Sequence, residues 1–513
     1  MKAIKKTATL LLTAFLVISM MTACGNTQAA VPTDTAGSAT PATQTGNAPQ
    51  GQSVPQEEYT VKIVFVGDST TEACNKVAEA ASKITKEKFN TKIELLRIGY
   101  GSFLQEVNLM LSSGEKLDLM PNFAYNTATA ANNGQILPLD NLLKEYGKDM
   151  LDKISEEDWR CVTIDGQIYA VPNNKEKAQG FGIAMLTEIL DKINYDVSKL
   201  KTDADVEQLF RAVKEAYPDI YPLVSDNGGI GYMMAARDEL GGDFGLLENP
   251  LTGDTKVVNW YETETYKNII RTRYKWAQEG LIMPDASTNT ENAGSLIGSG
   301  KGFAYYTNTK PGIDAEWARK VGKDMTVVEL VSPFTTTSGV SNQWYIAHNS
   351  EKPERAMQVL NEMYINPDMA NLLVNGIEGE HYVVDKANGV IDYPAGVDAS
   401  NTTYTSVAWA WLNELITTPW KADGPNIWKD TIKFNDTATP SVAKGFMWNN
   451  SNVLNEITAC NNATAKYTTA LECGSLDPET TISKMNQELK EAGIERIIAE
   501  KQAQLDKWLE TKK

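Results

Sequence analysis

Between residues 59 and 121 the chain alternates strand and helix in an order that leaves few folds open. "YTVKIVFVG" (59–67) is a short β-branched run closed by glycine, which is the length and composition of a buried strand. In "TTEACNKVAEAASKITKEKF" the apolar positions Cys74, Val77, Ala81 and Ile84 form one helical stripe, and Thr70 is placed to cap its start. A second strand, "TKIELLRIG", precedes a second helix, "SFLQEVNLMLSSGE", with Ser102 as its cap and Gly114 as its stop; "KLDLMP" makes a third strand. This order predicts a parallel, doubly wound α/β sheet. In such sheets a ligand sits beyond the carboxyl ends of the strands. There the sequence places Asp68, Tyr100, Asn122 and Tyr125, a set of carboxylate, amide and rings suited to a polar ligand with apolar faces, such as a sugar. Taken singly, the same residues are also ordinary turn and capping chemistry.

The chain begins as a secreted one. Lys2, Lys5 and Lys6 precede an apolar run from Ala8 to Met21, the charged and apolar regions of a signal peptide and too short to span a bilayer with its own flanks. Ala23 then precedes Cys24. This resembles the bacterial lipobox, in which the cysteine sulfur receives a diacylglycerol before cleavage; Met21 stands where leucine is usual. Residues 25–57 are Gly, Ala, Thr, Gln and Pro with almost no charge and no large apolar residue, so they cannot offset their ordering entropy. They read as a tether with a root-mean-square span of roughly 30 Å. The expected plan is a signal peptide over 1–23 and a tether over 24–57 that holds a folded body outside the cell membrane.

Composition bounds that body. The chain beyond residue 57 is too long for one core and implies two lobes. A formal net charge of −18 excludes a nucleic-acid partner and leaves no broad basic surface for anionic lipid. Cys460 and Cys473 are expected on one helix, "NVLNEITACNNATAKYTTALEC", about 20 Å apart and too far for a bridge. Enzyme signatures are weak. The two histidines, His348 and His381, lack metal-ligand spacing, so no metal and no cofactor is expected. No G-x-S-x-G elbow occurs. "GSGKG" (298–302) falls short of a phosphate loop, with Ser295 in place of its first glycine and Gly302 in place of the magnesium-binding hydroxyl. A surface-anchored glycoside hydrolase needs only two carboxylates and stays open as an alternative.

The order of several segments resembles the extracellular solute-binding proteins of ABC importers, in the sugar-binding branch with a long C-terminal extension. The stretch through "NLMLSSGEKLDLM" is similar to the family's opening. "GQILPLDNLLKEYGKDM", "DGQIYAVPN" and "SNQWYIAHNSEKPERAMQVLNEMYINPDMANLLVNGIEGEHYVV" match later segments, and "SLIGSGKGFAYYTNTKPG" sits where the family returns between lobes. The resemblance implies a two-lobe, periplasmic-binding-protein-like fold of type II, with a hinged cleft and a helical C-terminal extension. It places the N-terminal lobe at 58–122 plus 303–365 and the other at 124–302 plus 366–513. It implies a monomeric, lipid-anchored protein without catalytic residues that delivers a solute, here an oligosaccharide, to an ABC permease. A non-transport sensor or adhesin on the same fold is the other alternative. Tryptophan faces suit sugar rings, which makes Trp344 the first candidate, followed by the stretch "VAWAWLNELITTPW" with Trp409, Trp411 and Trp420. Trp409 and Trp411 would share a face if extended, and Tyr305, Tyr232 and Trp448 are weaker candidates. Asp477, Pro478 and Gly493 bound two amphipathic helices in the tail, expected to clamp the C-terminal lobe, with Trp508 as packing.

Overall fold

A computed structural model describes residues 57–123, 125–242, 244–337 and 342–512. The expected signal peptide, the expected lipidation site Cys24 and the expected tether through residue 56 lie outside them. The expected strands and helices of the first segment form as the pattern requires. Tyr59–Val66, at the centre, pairs in parallel with Thr91–Ile98 on one side and Leu119–Pro121 on the other. Helix Thr71–Phe89 buries Cys74, Val77 and Ala81, and the Thr70 hydroxyl accepts from the Ala73 amide at 3.2 Å. Helix Phe103–Ser113 ends at Gly114 with φ 73°, a conformation that favours glycine. Its expected cap is absent: the Ser102 hydroxyl donates back to the Gly99 carbonyl at 3.4 Å and caps no helical amide. Gln343–Ile346, antiparallel to both its neighbours, and Val171–Pro172 complete a five-stranded first sheet.

The second five-stranded sheet has the order Thr439–Pro440, Met325–Thr335, Gln179–Leu186, Gly302–Thr309, Tyr221–Leu223. This corrects the expected division of the chain. Residues 303–335 belong to the second sheet, because Gly302–Thr309 and Met325–Thr335 both pair antiparallel with Gln179–Leu186. Gly182 admits this close pairing; a Cβ there would run into the Val328 carbonyl oxygen. Only 343–365 of the expected second piece packs with the first sheet, whose core also takes Ala130, Val171, Leu373 and Leu412. "SLIGSGKGFAYYTNTKPG" therefore enters an interior strand of the second sheet. The chain passes between the sheets at 173–178, after Thr335 and at 413–438.

The C-terminal extension has a core of its own. Asp477 accepts from the Thr480 amide at 3.0 Å, Pro478 begins helix Pro478–Ala492, and Gly493 at φ 97° separates it from Ile494–Glu510. Ile482, Met485, Leu489, Ile497 and Leu505 pack with Tyr266 and Ile270 of helix Glu264–Gln278, while Trp508 lies part-buried against the same cluster. The single helix expected across Cys460 and Cys473 is two, Leu454–Thr464 and Thr468–Glu472, broken at Lys466 and Tyr467; both cysteines are buried thiols. Two α/β lobes and a helical extension make up the expected type II periplasmic-binding-protein-like fold.

Lys501 is the extension's most constrained residue. Fully buried, its ammonium donates to the carbonyls of Glu239, Gly242 and Gly245 at 3.2, 2.7 and 2.9 Å, and sits 3.9 Å from the Trp448 ring centroid. It fixes the loop 239–245 to the last helix. Lys501→Met is expected to lower unfolding free energy by roughly 2–4 kcal/mol in urea denaturation, because three buried carbonyls lose their donor.

Candidate ligand-binding site

The ends of the first sheet's parallel strands gather an aromatic platform. Tyr100, just after Thr91–Ile98, meets Phe123, just after Leu119–Pro121, edge-on with centroids 5.5 Å apart. Phe123 also packs on Phe103 at 5.4 Å and lies stacked 6.4 Å from Trp409. Asn173 Nδ2 donates to the Trp409 carbonyl at 3.2 Å, and the Lys175 ammonium lies 5.8 Å from the Trp409 ring centroid. Exposed Asp68 stands close enough for its charge, added to the larger effect of burial, to push the Tyr100 phenol upward. Tyr100 is 48% exposed and Trp409 37%.

Other expected residues fall elsewhere. Trp344 and Trp411 are 1% and 3% exposed and stack on each other at 5.3 Å. Trp344 Nε1 donates to the Ala410 carbonyl at 2.9 Å, and Trp411 packs on Phe65, so both are core residues with no face free for a sugar. Trp409 lies within the three-residue helical turn Ala408–Ala410 and Trp411 follows it, so the segment is not extended and the two rings do not share a face. Asn122 is buried, its Oδ1 accepting from the Gln343 amide at 3.3 Å. Part-buried Tyr125 donates to Asn108 Oδ1 at 2.9 Å. Trp448 is buried beneath Lys501, and Trp420 packs on Tyr393 at 4.6 Å.

The second lobe carries a cavity of about 610 Å³, within the size range of small-molecule sites. Tyr232 and Tyr305 line it together with Arg237, Trp260, Tyr261 and Glu472. Tyr232 is 45% exposed and stacked on Phe181 at 5.1 Å. Among the described residues the exposed aromatic side chains are three: Tyr100, Trp409 and Tyr232. Of the expected residues, Asp68, Tyr100 and Trp409 are thus gathered at the first sheet, and Tyr305 borders the second-lobe cavity. Phe123 and Lys175, at the platform, and Arg237, Tyr261 and Glu472, at the cavity, are additions of the structure. The sequence signal for Phe123 was its place one residue beyond Asn122. No local signal marked the others. No group of His, Cys, Asp or Glu able to hold a metal ion occurs among the described residues.

Where the lobes join, two carboxyl groups meet in the interior. Glu176, on the first crossing, and buried Glu414 hydrogen-bond to each other. Lys175 Nζ lies 3.0 Å from Glu176 Oε1, and Lys310 Nζ, also near the pair, lies 3.1 Å from Glu316 Oε2. Burial, reinforced by the charge of Glu176, pushes the Glu414 carboxyl up to about 8. Burial works to raise Glu176 too, but Lys175 and Lys310 outweigh it and hold that carboxyl below its ordinary range. One proton is shared by the pair, with Glu414 its holder.

The family model described as bacterial extracellular solute-binding protein matches residues 79–378, and one described as a domain of unknown function (DUF3502) matches 442–510. A carbohydrate ABC transporter substrate-binding protein of Streptococcus pneumoniae is 28% identical over 473 residues, which is 88% of this chain and 91% of that protein. The crystal structure of the N-glycan transport solute binding protein NgtS from Streptococcus pneumoniae is similar with a TM-score of 0.76 at 26% identity, covering 89% of this chain and 100% of that one. Its complex with Man5GlcNAc gives 0.68 at 26% identity, with the same coverage.

The buried carboxyl pair makes stability depend on pH in a defined direction. A carboxyl whose pKa is raised on folding holds its proton more tightly in the native state. Its stabilisation is complete below the ordinary 4.5 and is lost as pH rises through about 8. Thermal melts of the wild type and Glu414→Gln, whose amide keeps a donor toward Glu176, should therefore diverge from about pH 5 to about pH 9. The wild type should lose on the order of a few kcal/mol relative to the variant. Parallel pH profiles would show that Glu414 does not carry the proton.

Proposed function

Since the chain belongs to the family of bacterial extracellular solute-binding proteins, we propose that it captures an oligosaccharide between its two lobes and presents it to an ABC permease, held to the cell membrane by a lipid on Cys24. The observation that carries this reading is the placement of the exposed aromatic rings. Tyr100 and Trp409 stand at the strand ends of one lobe and Tyr232 at a cavity of the other, and nowhere else among the described residues is an aromatic side chain exposed. Such exposed faces offer apolar area to a ligand, and sugar rings present C–H faces that stack on them. A ligand that touches both lobes gains its full set of contacts only when they close, which turns binding into a change of shape. The similarity to NgtS makes mannose-bearing glycans ending in N-acetylglucosamine the first ligands to try.

The protein does no chemistry on the sugar. A thermal-shift screen of the purified full chain against mono- and oligosaccharides, with peptides as controls, is expected to raise the midpoint with one glycan class and return that glycan intact. At a hundredfold its dissociation constant such a ligand adds about 2.7 kcal/mol. Trp409→Ala should weaken the interaction by roughly tenfold or more. Cleaved glycan, or a shift with peptides alone, would sink the proposal. For the anchor, Cys24→Ser should move the protein from the membrane fraction to the medium; unchanged fractionation would remove the lipid from the account.

A further inference from the structure

The second-lobe cavity holds polar groups that the fold leaves without partners. Glu472, at the end of helix Thr468–Glu472 in the C-terminal extension, borders the cavity and is part-buried, and no donor among the described residues reaches its carboxylate. Its backbone carbonyl accepts from Arg273 Nη1 at 3.3 Å, which anchors the residue while leaving the side chain free. Burial pushes its carboxyl upward, with Arg273 and Arg237 opposing. Arg237 lies across the cavity wall, 5.3 Å from the Trp260 centroid and 3.1 Å from Glu239 Oε1, and its Nη1 is buried with no partner. Tyr261 and Tyr305 bring two phenols, neither of which has a hydrogen-bond partner among the described residues. Arg237 Nη1 is sealed from solvent, the other three groups face the cavity, and their convergence from a loop, a strand and the extension marks a site built for something polar.

We propose that this cavity is a subsite for a neutral sugar residue, in which ring hydroxyls donate to Glu472 and accept from Arg237, Tyr261 and Tyr305, while Trp260 supplies an apolar wall. The inference rests on the oligosaccharide reading above and extends it by assigning the extension a part in binding. The polar groups define the class of ligand. Arg237 is already paired with Glu239, and Arg273 lies near enough to act on Glu472, so the lining is close to charge balance; the Glu472 carboxylate still calls for a donor, which a hydroxyl or amide supplies and the carboxylate of a uronate or sialic acid does not. Lys501 shapes the site from beneath, because the loop it holds through Glu239, Gly242 and Gly245 supplies Glu239, Phe244 and Gly245 to the lining.

Calorimetric titration of the full chain with Man5GlcNAc, and with a uronate-bearing oligosaccharide, tests this. Glu472→Gln and Tyr305→Phe should each weaken the neutral glycan by roughly tenfold or more, since each removes a hydrogen bond made in the interior. Both variants are near-isosteric, and Tyr305→Phe removes a single oxygen, so a ligand-free melt close to wild type separates lost binding from lost folding. Glu472→Gln should also narrow the gap between neutral and acidic glycans. If the wild type binds the neutral glycan and both variants bind it within about twofold of wild type, the subsite is wrong and the oligosaccharide reading stands. Equal wild-type affinity for the acidic glycan likewise overturns the subsite alone. If the wild type binds no oligosaccharide of either kind, the oligosaccharide reading fails and this inference falls with it.

Discussion

The structure depends on how the backbone is satisfied where the chain passes between its two sheets. A crossing segment belongs to neither sheet, yet its amides and carbonyls leave water and must find partners. Asn435 provides three: its Oδ1 accepts from the amides of Lys177 and Ala178 at 2.7 and 3.1 Å, and its Nδ2 donates to the Lys175 carbonyl at 2.8 Å. Asn174 donates its amide to the Leu412 carbonyl at 2.8 Å, while its own carbonyl accepts from the Glu414 amide. Thr337, on the second crossing, is held by buried Asp238 through both its amide and its hydroxyl, at 3.1 and 2.8 Å. The join is thus polar, and the apolar cores lie apart on either side of it. A relative motion of the lobes can rearrange hydrogen bonds there without opening a hydrophobic core, which is the cheaper of the two disruptions.

The same join explains the buried carboxyl pair. Glu176 is carried by the first crossing and Glu414 by the third, and both come inward because the backbone beside them is tied to the other crossing. Burial and the neighbouring Glu176 charge disfavour ionisation of Glu414, and with Glu414 protonated the two carboxyls make a donor–acceptor pair with Lys175 and Lys310 as counter-charges. While Glu414 keeps its proton the connection is a pair of one charged and one neutral carboxyl, and it weakens as pH rises through about 8.

Legibility in the sequence followed the range of the contacts. Tyr59–Val66, Thr71–Phe89 and Thr91–Ile98 were readable because each declares itself by composition and period, and the parallel pairing comes from the short helical connection. The helices after Asp477 were readable for the same local reason. The allotment of 303–335 was not, since nothing in "GFAYYTNT" says that its partner strand lies at 179–186 and not in the first sheet. The tryptophans failed for a related reason. Trp344 and Trp411 come from strands and turns far apart in the chain and bury each other, a contact with no trace in either local pattern. Trp409 stays at the surface because a helical turn rotates it away from Trp411. Glu472 gave no signal at all, being one acidic residue among many until the extension folds it against the cavity.

Stacking and polar recognition do different work, and the lobes divide that work unequally. Rings such as Tyr100, Phe123 and Trp409 offer area and little discrimination, because most sugars present a comparable C–H face. Discrimination comes from buried polar groups that are left unpaired when the wrong ligand enters, a penalty that apolar surface cannot impose. In this chain those groups lie in the second lobe, in a cavity whose loop wall is held by Lys501 and whose carboxylate is Glu472, both supplied by the C-terminal extension. Glu472 is the extension's own contribution to the polar lining, while Arg237, Glu239, Tyr261 and Tyr305 come from the rest of the second lobe. On the subsite proposed above, the extension's helices belong with the determinants of which solute the second lobe accepts, although their packing alone would class them as scaffold.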